Sequence, residues 1–302
     1  MRLGVDLGGT KIEAILMDKD GKIVDRKRVP TPRGYYDKTV LAIRDLVGDV
    51  SRDALSTLPV GIGIPGTVSP ATGLIKNANS TWLIGKPFDK DLEAALERPV
   101  RLANDADCFA LSEAADGAGA GHVSVFGVIL GTGVGGGLVI NGGLVTGPNA
   151  IAGEWGHNAL PWPNPSELPG PSCYCGKTGC IETWLSGPSL EQQATSEGLS
   201  DLRALEIADA ARSGESTALT LIEQYADRLA RALAGVINIL DPNVIVLGGG
   251  LSAMDQLYSL VPQKWGAHVF SDTVVTTLKP NTHGDSSGVR GAAWLWPDTE
   301  VH

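Results

Sequence analysis

Residues 2–29 read Arg-Leu-Gly-Val-Asp-Leu-Gly-Gly-Thr-Lys-Ile-Glu-Ala-Ile-Leu-Met-Asp-Lys-Asp-Gly-Lys-Ile-Val-Asp-Arg-Lys-Arg-Val. The turns Leu7-Gly-Gly-Thr10 and Asp18-Lys-Asp-Gly21 separate the apolar runs of this stretch. Glycine-containing turns between apolar runs are typical of β-hairpins. The stretch therefore predicts a meander of three antiparallel strands, over 2–6, 11–17 and 22–29.

A second meander is predicted in the middle of the chain, where strands 123–130 and 134–140 flank the turn Gly131-Thr-Gly133 and a short strand follows Asn141-Gly-Gly143. Strands and helices alternate after each meander. In the first half we expect strands 59–64 and 100–103 and a helix from about Asp105 to Ala118. In the second half we expect a helix over 218–240 and a strand over 244–247. The repeat predicts an α/β protein of two similar lobes with a ligand cleft between them.

The repeat also sets the predicted domain boundaries. Residues 1–118 form the N-terminal lobe, which a C-terminal helix over 286–302 is expected to join. Residues 119–285 form the C-terminal lobe. A proline-rich stretch, Pro161 to Pro171, interrupts the second lobe, so we interpret 153–182 as a loop insertion.

Composition narrows the class of protein. The chain has 302 residues, 43% of them hydrophobic and 19% charged, which is ordinary for a globular protein. Its net charge of -10 and the absence of a long basic run disfavour nucleic-acid binding. No stretch is apolar for long enough to span a bilayer, and no signal peptide is predicted at the N-terminus. We expect a cytoplasmic protein without membrane contact.

The glycine turns are the candidate phosphate sites. Gly131 to Gly136 fits the G-x-G-x-x-G pattern of dinucleotide binding, but that motif requires a helix directly after the turn, and 134–140 reads as a strand. No P-loop motif is present in the sequence. Two hairpin turns remain, Asp6-Leu-Gly-Gly-Thr-Lys11 and Gly131-Thr-Gly133, whose backbone N–H groups are suited to phosphate oxygens. Asp6 stands where the first strand ends and is a candidate ligand for Mg²⁺ through water. The alternative is that both are tight hairpins without a ligand.

The cysteines indicate a metal site. Three of the four, Cys173, Cys175 and Cys180, lie within eight residues, and a reducing compartment disfavours disulfides. Thiolates at this spacing with a nearby histidine fit tetrahedral Zn²⁺. Spacing leaves the fourth ligand open among all the histidines: His122, His157, His268, His283 and His302. Cys108 falls within a helical pattern and is predicted to be a buried small side chain.

Asp105 is the candidate general base. It lies at the junction of the 100–103 strand and the following helix, where the helix N-terminus favours an ionised carboxylate. Such a carboxylate is able to accept the proton of an attacking hydroxyl. The residues alone leave a second interpretation open, because aspartate is also a common helix N-cap.

Five motifs then occur in a fixed order: Asp6-Leu-Gly-Gly-Thr-Lys11, Gly131-Thr-Gly-Val-Gly-Gly-Gly137, Gly153-Glu-Trp-Gly-His157, Cys173-Tyr-Cys-Gly-Lys-Thr-Gly-Cys-Ile-Glu182 and Gly248-Gly-Gly250. Together they resemble the ROK family of sugar kinases over essentially the whole chain. Two further stretches, 76–82 and 85–92, resemble most the bacterial fructokinase (manno-fructokinase) branch, with the N-acetylglucosamine kinase branch as its near neighbour.

The resemblance implies the actin/hexokinase-like (ribonuclease H-like) ATPase fold and transfer of the γ-phosphoryl group of ATP to the 6-hydroxyl of a free hexose. Fructose is the expected hexose. The implied catalytic base is Asp105, and the fourth metal ligand is His157, beside Cys173, Cys175 and Cys180. The implied cofactors are ATP, Mg²⁺ and a structural Zn²⁺, and a homodimer is expected. The implied phosphate-binding residues are Asp6, Gly8, Gly9, Thr10, Lys11, Gly131, Thr132, Gly133, Gly248, Gly249 and Gly250. The implied sugar-binding residues are Asn79, Asn104, Asp105, Glu154, His157 and Glu182.

Two alternatives stay open. A kinase of the same family for N-acetylglucosamine, glucose or mannose differs only in a few hydrogen bonds around the sugar. A sugar-responsive ROK-type regulator carries a DNA-binding helix-turn-helix before the kinase-like part, whereas here Met1 leads directly into the first strand. Asp105 and both glycine turns disfavour a non-catalytic sugar-binding protein.

Overall fold

A computed structural model describes residues 1–51 and 57–297. The described residues form two compact units. The first comprises those within Met1–Gly121, Gly137–Ala152 and Asp285–His302, and the second comprises His122–Gly136 and Gly153–Gly284. Residues 137–152, which the sequence reading left in the C-terminal lobe, thus belong to the first unit.

The strands agree closely with those expected from the alternation of residues. The short strands of 67–68 and 75–76 and the last strand, 277–280, have no counterpart in the prediction. The strands are β1 (Arg2–Leu7), β2 (Lys11–Met17), β3 (Ile23–Pro30), β4 (Val60–Ile64), β5 (Thr67–Val68), β6 (Ile75–Lys76), β7 (Val100–Asn104), β8 (Ser124–Leu130), β9 (Val134–Ile140), β10 (Gly143–Leu144), β11 (Val244–Gly248) and β12 (Thr277–Pro280).

The helices include several that the sequence reading did not identify, among them the long first helix. They are α1 (Tyr36–Ser51), α2 (Phe88–Leu96), α3 (Asp105–Asp116), α4 (Glu182–Leu185), α5 (Gly187–Ser196), α6 (Ala204–Arg212), α7 (Ser216–Leu240), α8 (Leu257–Trp265) and α9 (Ser287–Trp294). The last corrects the expected C-terminal helix over 286–302, because α9 ends at Trp294 and Leu295 forms a turn before Pro297. Residues 298–302 of that prediction lie outside the described residues.

Both meanders continue into parallel strands, as the repeat predicted. The first five-stranded sheet has the order β3-β2-β1-β4-β7, with antiparallel pairing in the hairpins and parallel pairing of β1 with β4 and of β4 with β7. The second has the order β10-β9-β8-β11-β12, in which β11 runs parallel to β8 and to β12. The two sheets therefore share one topology, and each glycine turn joins the first two strands of its sheet.

Some of the chain's 39 glycines serve packing rather than ligand binding. A Cβ on Gly61 of β4 would lie 1.8 Å from the carbonyl oxygen of Ala292, and one on Gly291 would lie 1.6 Å from that of Cys108. Glycine at these positions lets α9 approach both the first sheet and α3 at backbone distance. Cys108 is fully buried, as predicted.

The proline-rich loop is attached to the long helix α7 by a buried ion cluster. The Oε1 atom of Glu167 accepts hydrogen bonds from Nε of Arg228 at 2.7 Å and from Nη2 of Arg231 at 2.9 Å. Arg231 also donates to the carbonyl oxygens of Pro161 and Trp162. All three charged side chains are buried. This part of the loop is therefore held by side chains of α7.

Replacing Glu167 with alanine is expected to lower the free energy of unfolding by about 3 kcal/mol, because two guanidinium groups stay buried without their carboxylate. Denaturant unfolding measures the loss. Glu223→Ala is the matched control, since its ion pair with Lys264 lies on the surface of α7 and contributes little. Equal effects of the two substitutions would contradict the anchoring role.

The same cluster predicts a pH dependence. Burial raises the pKa of Glu167, but hydrogen bonds from Arg231 and Arg228 outweigh it, so the net pKa lies below its usual value. A carboxyl with a lowered folded-state pKa stabilises the fold above its unfolded pKa of about 4.3. The stabilisation is lost as the pH falls through the folded-state pKa of Glu167.

Among the described residues, no helix is long and apolar enough to cross a membrane.

Candidate functional site

The first glycine turn lies between β1 and β2 and is closed by a hydrogen bond from Gly8 N to the Lys11 carbonyl. Gly9 and Thr10 are exposed, and a Cβ built on Gly9 meets nothing within 4 Å. Backbone in open space suits the close approach of a phosphate group. Of the residues predicted to bind phosphate, this turn brings together Asp6, Gly8, Gly9, Thr10 and Lys11.

Two residues that the sequence reading missed hold this turn. Thr31 donates its hydroxyl to the Gly8 carbonyl at 2.7 Å. Arg33 donates Nη2 to the Thr10 hydroxyl at 2.8 Å and Nε to the Gly9 carbonyl. The signal was available in the hairpin register, because Lys11 pairs with Pro30 and the residues after Pro30 must then run beside the turn.

Asp6 carries the most perturbed carboxylate of this turn. Burial raises its pKa to about 7, reinforced by the carboxylates of Asp105 and Glu13 and opposed by Lys11. Glu13 lies directly across the strands from Asp6 and forms ion pairs with Arg26 and Arg28. Two interacting carboxylates, Asp6 and Asp105, are a favourable environment for a hydrated divalent cation.

Asp105 is the first residue of α3, but the N-cap is Asn104. The side chain of Asn104 accepts the Ala106 N–H at 2.9 Å and donates to the Gly66 carbonyl at 3.3 Å. Asp105 itself is exposed at the helix start. Asn104 is the N-cap that the alternative interpretation expected in Asp105, and Oδ1 of Asp105 also accepts the Ala106 N–H at 2.9 Å. Asn79 is also exposed in the first unit, in the segment before a short 3-10 turn.

The second glycine turn carries Gly131, Thr132 and Gly133 and leads directly into β9. A strand after the turn confirms the rejection of the dinucleotide motif. The triplet Gly248 to Gly250 lies beside the turn, because a Cβ on Gly249 would lie 2.4 Å from the Leu130 carbonyl oxygen. Gly250 faces open space instead. The structure thus brings together both glycine segments of the second unit.

His157, Cys173, Cys175 and Cys180 form a cluster whose ligand atoms all lie within 4.8 Å of one another. Cys173 Sγ lies 3.6 Å from His157 Nδ1, and Cys175 Sγ lies 3.6 Å from Cys180 Sγ. Tetrahedral zinc with sulfur and nitrogen ligands sets neighbouring ligand atoms roughly 3.5 to 3.8 Å apart. The four residues therefore fit a closed structural zinc site, and His157 is the histidine that joins the three cysteines. Cys108 lies in the other unit.

The second ring nitrogen of His157 meets a residue that the sequence reading did not weigh. With Nδ1 turned to the cysteines, Nε2 lies 2.9 Å from the hydroxyl of Tyr174, whose side chain is exposed. The resemblance implies that His157 binds the sugar as well as the metal, and Nε2 is the ring nitrogen left for that contact. Its partner in the structure is Tyr174, which stands between the ligands Cys173 and Cys175.

The two predicted sugar-binding glutamates have different surroundings. Glu154 is exposed at the start of the 3-10 turn Trp155–His157. Glu182 begins α4, and its Oε2 accepts the Val134 N–H at 2.9 Å, at the end of the second glycine turn. Trp155 is a core residue, buried against Phe126 and bonded through Nε1 to the Gly135 carbonyl.

Taken together, two sheets with one topology, a glycine turn in each and a thiolate–histidine cluster define an α/β protein built from two similar sheets. The model of the ROK family matches residues 2–299, so the chain belongs to the ROK family of sugar kinases, which act with ATP. Its fold is the actin-like ATPase fold.

Two solved structures resemble this chain. The ROK hexokinase of Thermus thermophilus superposes on it with a TM-score of 0.85 and is 30% identical, with 97% of this chain and 96% of that chain covered. A ROK family glucokinase of Streptomyces griseus, solved with glucose and AMPPNP, has a TM-score of 0.77 and 29% identity, with 97% and 98% covered.

Two relatives of known name indicate which branch of the ROK family this chain is similar to. The N-acetyl-D-glucosamine kinase of Pectobacterium atrosepticum is 41% identical over 299 residues, which is 98% of each chain. That of Photobacterium profundum is also 41% identical, covering 98% of this chain and 99% of the relative. These relatives do not support the expected fructokinase branch, because they are named for N-acetyl-D-glucosamine, the substrate of the neighbouring branch.

Proposed function

We propose that this protein is an N-acetylglucosamine kinase that transfers the γ-phosphoryl group of ATP to the 6-hydroxyl of the sugar. The observation that carries the choice of sugar is the 41% identity, over nearly the whole chain, to kinases named for that substrate. Fructose, glucose and mannose become the comparison substrates.

Asp105 is the proposed general base. The sugar 6-oxygen attacks the γ-phosphorus, a new P–O bond forms, and the bond to the ADP oxygen breaks, so ADP leaves with the bonding electrons. The hydroxyl proton passes to the Asp105 carboxylate. The exposed position of Asp105 at the start of α3 supports this role, because the helix N-terminus stabilises the ionised base before transfer.

The phosphate charge is proposed to be met by the backbone of the two glycine turns and by Lys11, with Gly248 to Gly250 beside the nucleotide. Phosphoryl transfer depends mainly on such positioning and charge neutralisation. Asp6 is the proposed residue for Mg²⁺, which screens the phosphate oxygens when bound. Burial raises the pKa of Asp6 to about 7, and a cation bound at this carboxylate would favour its ionised form.

Sugar binding is proposed for Glu154, Glu182 and Asn79, and for Nε2 of His157 when the sugar replaces the Tyr174 hydroxyl there. The four-ligand cluster is proposed to hold a structural zinc ion. Asn104 uses one N–H and one lone pair within the protein, and its second N–H and second lone pair are proposed to contact the sugar. The predicted homodimer and cytoplasmic location stay predictions.

ADP release in a coupled assay with N-acetylglucosamine, glucose, mannose and fructose tests the proposal. We expect kcat/KM to be at least about tenfold higher for N-acetylglucosamine, because a site with hydrogen bonds to the acetamido group rejects sugars that lack it. Higher kcat/KM with fructose would restore the original expectation. Absence of turnover with all four sugars would contradict the kinase proposal itself.

A further inference from the structure

Glu182 links two parts of the second unit that the sequence reading kept separate. It ends the cysteine motif, two residues after the metal-site residue Cys180, and begins α4. Its carboxylate reaches back 48 residues to accept the N–H of Val134, the first residue after the second glycine turn. The hydrogen bond is charge-assisted and so is stronger than one between neutral groups.

The second glycine turn is held by the same segment at its other end. The N–H of Gly187, where α5 begins, donates to the Gly131 carbonyl at 2.8 Å. Between these two bonds, a Cβ on Gly133 would lie 2.7 Å from Oε2 of Glu182, so the carboxylate rests against the turn itself. The path of residues 131–134 therefore depends on where the segment 182–187 sits.

That segment is in turn placed by the metal site. Cys180 pairs with Ala159 in an antiparallel bridge. Ile181 N donates to the carbonyl of Asn158, which directly follows His157, at 2.8 Å. Cys180 thus sits in the strand-like pair that leads into Glu182, and His157 ends the 3-10 turn two residues before Ala159, the partner of Cys180 in that pair. When the ligand atoms of His157 and Cys180 bind one ion, the backbone of residues 180–182, from which the Glu182 side chain extends, is held in place.

We propose that Glu182 is a positioning residue that couples the metal centre to the nucleotide: with the metal bound, Glu182 holds the Gly131–Gly133 turn in its phosphate-binding shape. This inference rests on the proposed kinase function. It differs from a role of Glu182 in sugar binding alone, because the contact with Val134 exists without sugar. Metal occupancy therefore controls affinity for nucleotide as well as for sugar.

The test is calorimetric binding of Mg²⁺–AMPPNP without sugar, to protein loaded with zinc and to protein treated with a chelator. We expect Glu182→Ala to weaken binding by about tenfold, the typical effect of losing a hydrogen bond to a charged group. Chelation of the unsubstituted protein is expected to weaken it similarly. Chelation of the variant should add less than about twofold, because both changes remove one coupling. Glu197→Ala, an exposed glutamate of the same unit, is the control and should bind as the unsubstituted protein does.

A second readout does not require nucleotide. In protein labelled with ¹⁵N-valine, the Val134 amide resonance, assigned by comparison with V134A, should shift on chelation and shift in the same direction in E182D, whose carboxylate is one methylene shorter. An unmoved resonance, or losses of nucleotide affinity that simply add, would overturn the coupling. If the unsubstituted protein binds no nucleotide while Val134 shifts as expected, the kinase proposal fails and the structural coupling stands.

Discussion

Replacing Asp105 with asparagine is expected to lower kcat by about 10² to 10⁴-fold, the usual contribution of a general base. Asparagine keeps the shape of the side chain and cannot take the sugar proton. Affinity for N-acetylglucosamine, measured by calorimetry, should change by less than about threefold, because the sugar is held chiefly by other residues. Steady-state kinetics with MgATP measure the loss in kcat.

The matched control is Asp37→Asn, which removes an acidic residue from the first turn of α1 in the same unit. Both substitutions remove a charge that favours a helix N-terminus, so both should cost at most about 1 kcal/mol of stability. A loss of kcat below tenfold for Asp105→Asn, or one equal to that of the control, would reduce Asp105 to a helix-start residue.

Removal of the metal is expected to reduce affinity for the sugar by at least about 100-fold, a loss of roughly 2.7 kcal/mol. Without the ion, no metal links the segment that carries Glu154 and His157 to the cysteine motif. The four ligand atoms, which lie within 4.8 Å of one another, are then no longer held together by a common metal. Metal analysis should find one zinc per chain. Sugar titration after chelation, and of Cys175→Ser, measures the effect.

The buried Glu167 cluster limits how far this loss spreads. Hydrogen exchange after chelation should rise around 153–160 and 171–182, whereas the segment bonded to Arg228 and Arg231 should stay protected. Because the Glu182–Val134 hydrogen bond joins the cysteine motif to the second glycine turn, KM for ATP should rise as well. Metal-free protein with full activity and unchanged sugar affinity would contradict the structural zinc site.

Much of the fold was predictable because its signals are local. Apolar residues alternating around glycine turns determined the strands of both meanders, and cysteine spacing pointed to the metal cluster. Helix α1 was also within reach, since Val40, Ile43, Val47 and Val50 recur at helical spacing and are buried. The end of α9 was not, because an apolar C-terminal stretch does not by itself mark where a helix stops.

The contacts that organise the site join residues far apart in the chain. Glu167 meets Arg228 across 61 residues, and Glu182 meets Val134 across 48. Neither glutamate differs by its neighbours from a surface residue, so no periodicity or spacing reveals the contact. Asp105 shows the same limit: which of Asn104 and Asp105 caps α3 depends on backbone angles at the junction, and a sequence offers two equally good caps there.

The most direct test of the account is ³¹P NMR of the reaction of the protein with MgATP and N-acetylglucosamine. Transfer to the 6-hydroxyl predicts, alongside ADP, a phosphomonoester resonance split into a triplet by the two protons on carbon 6. The resonance should grow in step with ADP and should be lost with Asp105→Asn. ADP accompanied only by inorganic phosphate, or a phosphomonoester split as a doublet by a single ring proton, would contradict the proposed reaction.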